Sequence, residues 1–229
     1  MRPQQVTPPE GWREALALEH GCLAMARHLG CWSQQLLPDW SGLDGRLLAA
    51  FPKKQPLHVE FCSGNGIWIA ERAATHPDIN WIAVERRFDR VRQICAKRAN
   101  QKLDNLLVVW GEAELFSPHF LTDGCVDHIF INFPDPWPKN KHAHKRIMRA
   151  DFIAELIRIL RPEGKLAFVT DEEPFAVGTR ALLDIEPRLR NCFAPDGVRH
   201  EWAEYGDSTF EQLWRQKGLQ IHYQLYERR

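Results

Sequence analysis

From position 57 onward the chain alternates short apolar runs with stretches of helical periodicity, and this restricts its fold more than any other feature. Residues 57–61 form an apolar run, followed by Cys62-Ser63-Gly64-Asn65-Gly66 and a helical stretch over 67–76. Residues 81–84 read as the next strand, and Phe88, Val91, Ile94 and Cys95 then recur at helical spacing, marking one buried face. Strands follow at 106–109 and 126–132, a helix at 151–160, a turn at Pro162-Glu163-Gly164 and a fifth strand at 166–170. Such alternation means βαβ units, hence a mostly parallel sheet with helices on both faces.

Both ends depart from this rhythm. Residues 11–30 carry Trp12, Ala15, Leu16, Leu18, Leu23, Ala24, Ala26 and Leu29, a pattern closer to helix than to strand. Another short helix is expected over 44–51, ended by Pro52. The expected organisation is an N-terminal helical segment, 1–54, packed on one α/β domain, 55–229. Near the other end, Ser208-Thr209-Phe210-Glu211 has the form of a capping box, and Gly218 is placed to end the helix it opens. Leu219, Ile221, Tyr223 and Leu225 then alternate with Gln220, His222, Gln224 and Tyr226, as in a half-exposed antiparallel strand at or near a sheet edge. The expected fold class is α/β: a Rossmann-like, doubly wound, mostly parallel sheet with an antiparallel C-terminal strand.

Composition excludes several classes. No apolar run approaches the roughly 20 residues that span a bilayer, and residues 1–10 lack the apolar core of a secretory signal. The cytoplasm is the expected location. Cys22, Cys31, Cys62, Cys95, Cys125 and Cys192 are scattered without a Cys-x-x-Cys pair, so reduced, packed thiols are expected and no metal site. The formal net charge is zero, which argues against a dedicated nucleic-acid binder. The distribution is less neutral. Arg86, Arg87, Arg90, Arg92, Lys97, Arg98 and Lys102 face one acid, Asp89, and Lys139, Lys141, Lys145, Arg146 and Arg149 face none. Local clusters of this kind can bind phosphates, or simply cover a solvated helix face.

Glu60 ends the first strand just before Gly64-Asn65-Gly66, and Glu85 ends the second. In open α/β sheets ligands bind beyond the carboxyl ends of the strands, and a carboxylate at the second accepts hydrogen bonds from a ribose diol. A dinucleotide site wants Gly-x-Gly-x-x-Gly facing a pyrophosphate. Here Cys62 occupies the first glycine position, and Glu60 would oppose a diphosphate while suiting a cofactor with an ammonium and a sulfonium. Glu112, in Trp110-Gly111-Glu112-Ala113-Glu114, follows the third strand and can accept an adenine amine. Asn132-Phe133-Pro134-Asp135-Pro136-Trp137-Pro138-Lys139 closes the fourth strand. Its prolines restrict the backbone around Asp135, and Trp137 offers a flat face for stacking on a base.

With these residues in place, the sequence over 57–226 closely resembles the bacterial tRNA (guanine-N7)-methyltransferases, which belong to the S-adenosylmethionine-dependent class I. The matching points are Glu60 with Gly64 and Gly66, Glu85, Gly111-Glu112-Ala113, and Asn132 to Lys139. They continue through His142 with Lys145-Arg146, Arg161-Pro162-x-Gly164, Thr170-Asp171, and Phe210-Glu211. The resemblance implies S-adenosylmethionine as cofactor, held by Glu60, Gly64, Gly66, Glu85, Glu112, Ala113, Asn132 and Asp135, with Asp135 also catalytic. It implies a tRNA substrate, met by Lys139, His142, Lys145, Arg146, Asp171, Ser208, Thr209, Phe210 and Glu211. Four departures stand out: Cys62 in place of a glycine, Glu112 for Asp, Ser208 for Thr, and no Arg-rich N-terminal run.

N7 of guanine loses no proton on methylation, so such a site needs alignment and water exclusion rather than a strong base. The rival readings are a methyltransferase acting on another RNA base and a cofactor- or RNA-binding relative without turnover. Amino-group methyltransferases tend to carry Asn-Pro-Pro-aromatic where this chain has Asn132-Phe133-Pro134-Asp135. Oligomeric state, monomer or homodimer, is left open by the sequence.

Overall fold

A computed structural model of the chain describes residues 2–5, 17–19, 22–24, 51–206 and 209–229. It divides into two compact units, Met1–Thr122 and Asp123–Arg229.

The first unit contains β1 (Ala17–Glu19), β2 (Cys22–Ala24), β3 (Leu57–Phe61), α1 (Ile67–Thr75), β4 (Asn80–Glu85), α2 (Phe88–Gln101), β5 (Leu106–Trp110) and α3 (Ala113–Phe120). Its strands lie in the order β1-β2-β5-β4-β3. β3, β4 and β5 run parallel, with Phe61 opposite Val84 and Glu85 opposite Trp110, so their carboxyl ends form one edge. Every residue of β4 and β5 is buried, as expected of parallel strands covered on both faces. Trp81 is the more deeply buried of their two tryptophans, with Trp68 of α1 edge-on at 6.0 Å and His58 of β3 at 4.8 Å between ring centroids.

The N-terminal expectation needs correcting. Where helix was expected over 11–30, the described residues include strands β1 and β2, and β2 pairs in parallel with β5. An alternation too short to register as a strand period was read as helix. The helix expected over 44–51 lies outside the described residues except for buried Phe51.

The second unit contains β6 (Val126–Asn132), α4 (Ala150–Ile159), β7 (Leu160–Thr170), α5 (Glu173–Asp184), β8 (Leu189–Asn191), α6 (Thr209–Gln216) and β9 (His222–Arg228), ordered β6-β7-β9-β8. The α4 stripe predicted from periodicity is present: Phe152, Ile153, Leu156 and Ile157 are buried, each contributing about 1.5–3 kcal/mol from lost apolar exposure. The turn expected at Pro162 is a bulge inside a longer strand. β7 begins at Leu160 opposite Val126, loops out, and resumes with Lys165 opposite His128. The C-terminal strand is antiparallel as expected but not half-exposed. His222, Tyr223, Gln224, Leu225 and Tyr226 are all buried, because β9 lies between β7 and the three-residue β8. β8 is too short to have been visible as a pattern.

The turn between β3 and α1 takes positive φ at Cys62 (64°), Gly64 (54°) and Gly66 (69°). A Cβ on Gly66 would also stand 2.6 Å from Cγ1 of Ile94 on α2, so neither its conformation nor its space admits a side chain. Gly66→Ala should therefore cost about 1–3 kcal/mol through overpacking and strain, read as a lower denaturant midpoint at unchanged slope. For Cys62→Gly, relief of a left-handed residue, about 1 kcal/mol, is offset by a similar gain in unfolded-state freedom. Its midpoint should stay close to that of the parent.

Candidate active site

The carboxyl edge of β3, β4 and β5 gathers the acids named from sequence in the first unit. Glu60 is 2% exposed and Glu85 8%. Glu85 accepts hydrogen bonds from the backbone N–H of Gly64, 2.9 Å to Oε2, and of Arg87, 2.8 Å to Oε1. One carboxylate thus ties the glycine turn to the start of α2. Burial raises its pKa against the opposing pull of those two N–H groups and of Arg86 and Arg90. A carboxylate has about four lone-pair directions, so each oxygen retains capacity for a ribose hydroxyl.

The glycine turn has further ties that the sequence did not reveal. The Ser63 hydroxyl donates to the Glu60 carbonyl at 2.9 Å. Lys97 of α2 reaches back to donate to the Asn65 carbonyl at 2.9 Å, and its burial lowers the ammonium's pKa. Part of the basic run over 86–102 is therefore structural: Arg98 donates to the Leu106 carbonyl at 2.6 Å, and Arg87 pairs with Asp89. Beside Glu85, the Gly111 N–H donates to the Glu85 carbonyl at 3.1 Å. The Trp110 indole N–H donates to the Arg86 carbonyl at 3.1 Å, and its ring packs on Phe88 at 4.4 Å. Glu112 is the residue that caps α3: its carbonyl accepts from Leu115 and Phe116, and Ala113, the first helical residue, is buried. Buried acids, an apolar wall and a glycine turn that admits close approach suit a cationic nucleoside better than a diphosphate.

In the second unit Asn132, 7% exposed, ends β6 opposite Val169 of β7. The Phe133 N–H donates to the Val169 carbonyl at 2.8 Å. Asp135 lies in an exposed loop between two residues of positive φ, Phe133 (47°) and Trp137 (43°). Such backbone is strained for large side chains and persists only when its surroundings hold it. Arg146 does so: its Nε donates to the carbonyls of Pro136, 3.1 Å, and Trp137, 3.2 Å, and its Nη2 to Trp137 at 3.0 Å. Arg149 repeats the device, donating to the carbonyls of His144, 3.0 Å, and Arg146, 2.7 Å. Arg146, named from sequence as a phosphate contact, thus grips the loop, and Arg149 ties down the turn that follows it. Lys145 lies over the Trp137 ring at 4.7 Å, with His142 edge-on at 5.6 Å. Lys139 and Lys141 are exposed.

Asp171 follows β7 directly. Thr170, not Asp171, provides the local turn, its hydroxyl accepting from the Glu172 N–H at 3.1 Å, and Glu172 is the residue that caps α5. Ser208 lies outside the described residues; Thr209 and Phe210 open α6. Glu211 is held by Arg215, 3.0 Å, and accepts from the Tyr223 hydroxyl, whose pKa burial and this carboxylate raise. No group of His, Cys, Asp and Glu that could hold a metal occurs among the described residues. Nor is any described helix long and apolar enough to cross a membrane.

Comparison with known proteins bears on the family. A family model described as "Putative methyltransferase" matches residues 54–224. The tRNA (guanine-N(7)-)-methyltransferase of Chlamydia caviae is 36% identical over 228 residues, covering 97% of this chain and 96% of that protein. Among solved structures, the 16S rRNA methyltransferase KamB matches with TM-score 0.62 at 14% identity, over 81% of this chain and 93% of that one. A 16S rRNA adenine-N(1)-methyltransferase from Catenulisporales acidiphilia, solved with its cosubstrate SAM, matches with TM-score 0.57 at 18% identity, over 81% and 91%. The likeness to these structures establishes the fold: α/β, Rossmann-like and mostly parallel, with antiparallel pairing at the C-terminus. At 36% identity along nearly its whole length, the chain belongs to the tRNA (guanine-N7)-methyltransferases, enzymes that use S-adenosylmethionine.

Proposed function

We propose that this chain transfers a methyl group to N7 of a guanine in tRNA, with residues 55–229 as the catalytic domain and 1–54 preceding it. The start of the family match at residue 54 supports that division. The observation that carries the reading is the Asp135 loop, a strained turn bracketed by Phe133 and Trp137 and clamped through its carbonyls by Arg146.

S-adenosylmethionine would supply an electrophilic methyl group on a sulfonium. Glu85 takes the ribose diol with its remaining lone pairs, and Glu112 meets the adenine amine. Gly64 and Gly66 would admit the cofactor against the backbone, and Glu60 and Asn132 would meet its charged methionine end. Asp135 aligns the acceptor guanine, and no residue needs to remove a proton from N7. Fixed carboxylates remain favourable as positive charge passes from sulfur to the purine. Asp171 and Glu211 would border the acceptor. Lys139, His142 and Lys145 meet phosphates, offsetting the few kcal/mol needed to unstack a base.

Incubation with tRNA and labelled cofactor should yield N7-methylguanosine on nucleoside mass spectrometry; a methylated adenine or amino group instead would assign another acceptor. Asp135→Ala should abolish transfer while the melting temperature holds, and retained activity would remove Asp135 from its role. Lys139→Ala should weaken tRNA binding and flatten its log–log salt slope by about 0.7–0.9, the loss of one phosphate contact. Arg146→Gln separates positioning from charge contact. It should lower turnover by loosening the loop yet leave the salt slope unchanged, and a flattened slope would return Arg146 to the phosphate contacts.

A further inference from the structure

His222 is not among the residues the family resemblance assigns, yet its position in the sheet is that of a site residue. Three strands of the second unit reach the same edge side by side. Asn132 of β6 stands opposite Val169 of β7, and Thr170 of β7 stands opposite His222, the first residue of β9. Adjacent strands are about 4.8 Å apart, so His222 begins its strand one strand-width from the Thr170–Asp171 step.

The face it occupies follows from register. Residues directly opposite in an antiparallel pair point to the same side, so His222 shares a face with Thr170, whose hydroxyl turns towards the start of α5. Gln224, two residues on, confirms that face by donating to the Ala176 carbonyl of α5 at 2.7 Å.

His222 is 7% exposed. An imidazole at such a strand end can offer a donor and an acceptor nitrogen to a ligand. Its packing is nonetheless fixed. His200 lies edge-on at 5.0 Å with an interplanar angle of 81°. The His200 ring is in turn held through Nδ1 against the Ile221 carbonyl at 2.9 Å, and its own carbonyl accepts from Arg215 at 2.8 Å. Burial and the neighbouring His200 lower the pKa of His222, against the pull of Glu173 and Asp171. At neutral pH the ring is therefore uncharged, presenting one N–H donor and one acceptor nitrogen.

We propose that His222 is a specificity-determining residue that donates a hydrogen bond to the acceptor base beside Asp171. A carboxylate that only accepts and an imidazole that donates form a mixed edge. Guanine presents its complement, N1–H and the 2-amino group next to the O6 carbonyl, whereas adenine offers a donor where guanine has O6. The assignment rests on the tRNA-methylating reading above.

The test uses the full chain with His222→Phe, which keeps a flat ring against His200, and His222→Asn, which restores an N–H donor. Both are compared with the parent in cofactor affinity by calorimetry and in kcat/KM for tRNA. For His222→Phe, cofactor affinity should stay within about twofold while kcat/KM falls about tenfold, the loss of one hydrogen bond. His222→Asn should recover part of that loss. Two outcomes would overturn the assignment: unchanged kcat/KM in His222→Phe, or an equal loss in both variants with weakened cofactor binding, which would mark a packing residue. A parent protein that makes no N7-methylguanosine would instead overturn the reading beneath it, and the parent arm alone reveals that case.

Discussion

The first unit depends on a buried carboxylate. Glu85 ends a strand whose every residue is inside, where an ionised group is costly unless its oxygens are satisfied. The chain meets that demand with two backbone N–H groups from opposite sides, Gly64 in the turn after β3 and Arg87 at the start of α2. The glycine turn therefore takes its shape partly from an acid on the next strand. Positive φ at Cys62, Gly64 and Gly66 is the conformational cost of bringing the Gly64 N–H to that carboxylate. Lys97 and Ser63 complete the arrangement, donating to the carbonyls of Asn65 in the turn and of Glu60 in the strand before it.

The second unit solves the opposite problem. The loop after β6 has carbonyls to satisfy and few N–H groups to offer, because Pro134, Pro136 and Pro138 have none. Guanidinium groups supply the missing donors. Arg146 covers the carbonyls of Pro136 and Trp137, and Arg149 those of His144 and Arg146. A proline-rich loop needs cations for its own backbone, so a basic run beside it is not all available to an external anion. Lys139 and Lys141, which have no such duty and are exposed, remain as the charge presented outward.

Much of the fold was legible because parallel strands leave a strong mark. Residues 57–61, 106–109 and 126–132 are apolar enough to read without a partner, and α4 showed its buried stripe through Phe152, Ile153, Leu156 and Ile157. What stayed hidden depended on distant pairing. β1 and β2 span three residues each and exist as strands through pairing with one another and with β5. Gln224 and His222 were read as an exposed face because they are polar. They are buried because Gln224 lies under α5, meeting its need on the Ala176 carbonyl, and His222 packs against His200. The strand-end places of Glu60 and Glu85 were legible, whereas the supports of the candidate site were not. Nothing local marks Arg146 as a clamp rather than a phosphate contact, or Thr170 rather than Asp171 as the group that makes the turn before α5.

These supports bear on how such a site can accelerate a reaction that needs no proton removed. With neither a base nor a nucleophile to activate, rate comes from holding partners in line and from charges already oriented when the sulfonium loses its methyl. Orientation of that kind is only as good as the backbone behind it, since a displacement of about 1 Å can cost a hundredfold in rate. A carboxylate on a freely moving loop would be a poor device. Asp135 is exposed, but its loop is braced by two left-handed residues, Phe133 and Trp137, and by a guanidinium that spans the Pro136 and Trp137 carbonyls. The strain at Phe133 and Trp137 and the fixed place of Asp135 are thus two aspects of one arrangement, in which a backbone that would relax if freed is kept taut by Arg146.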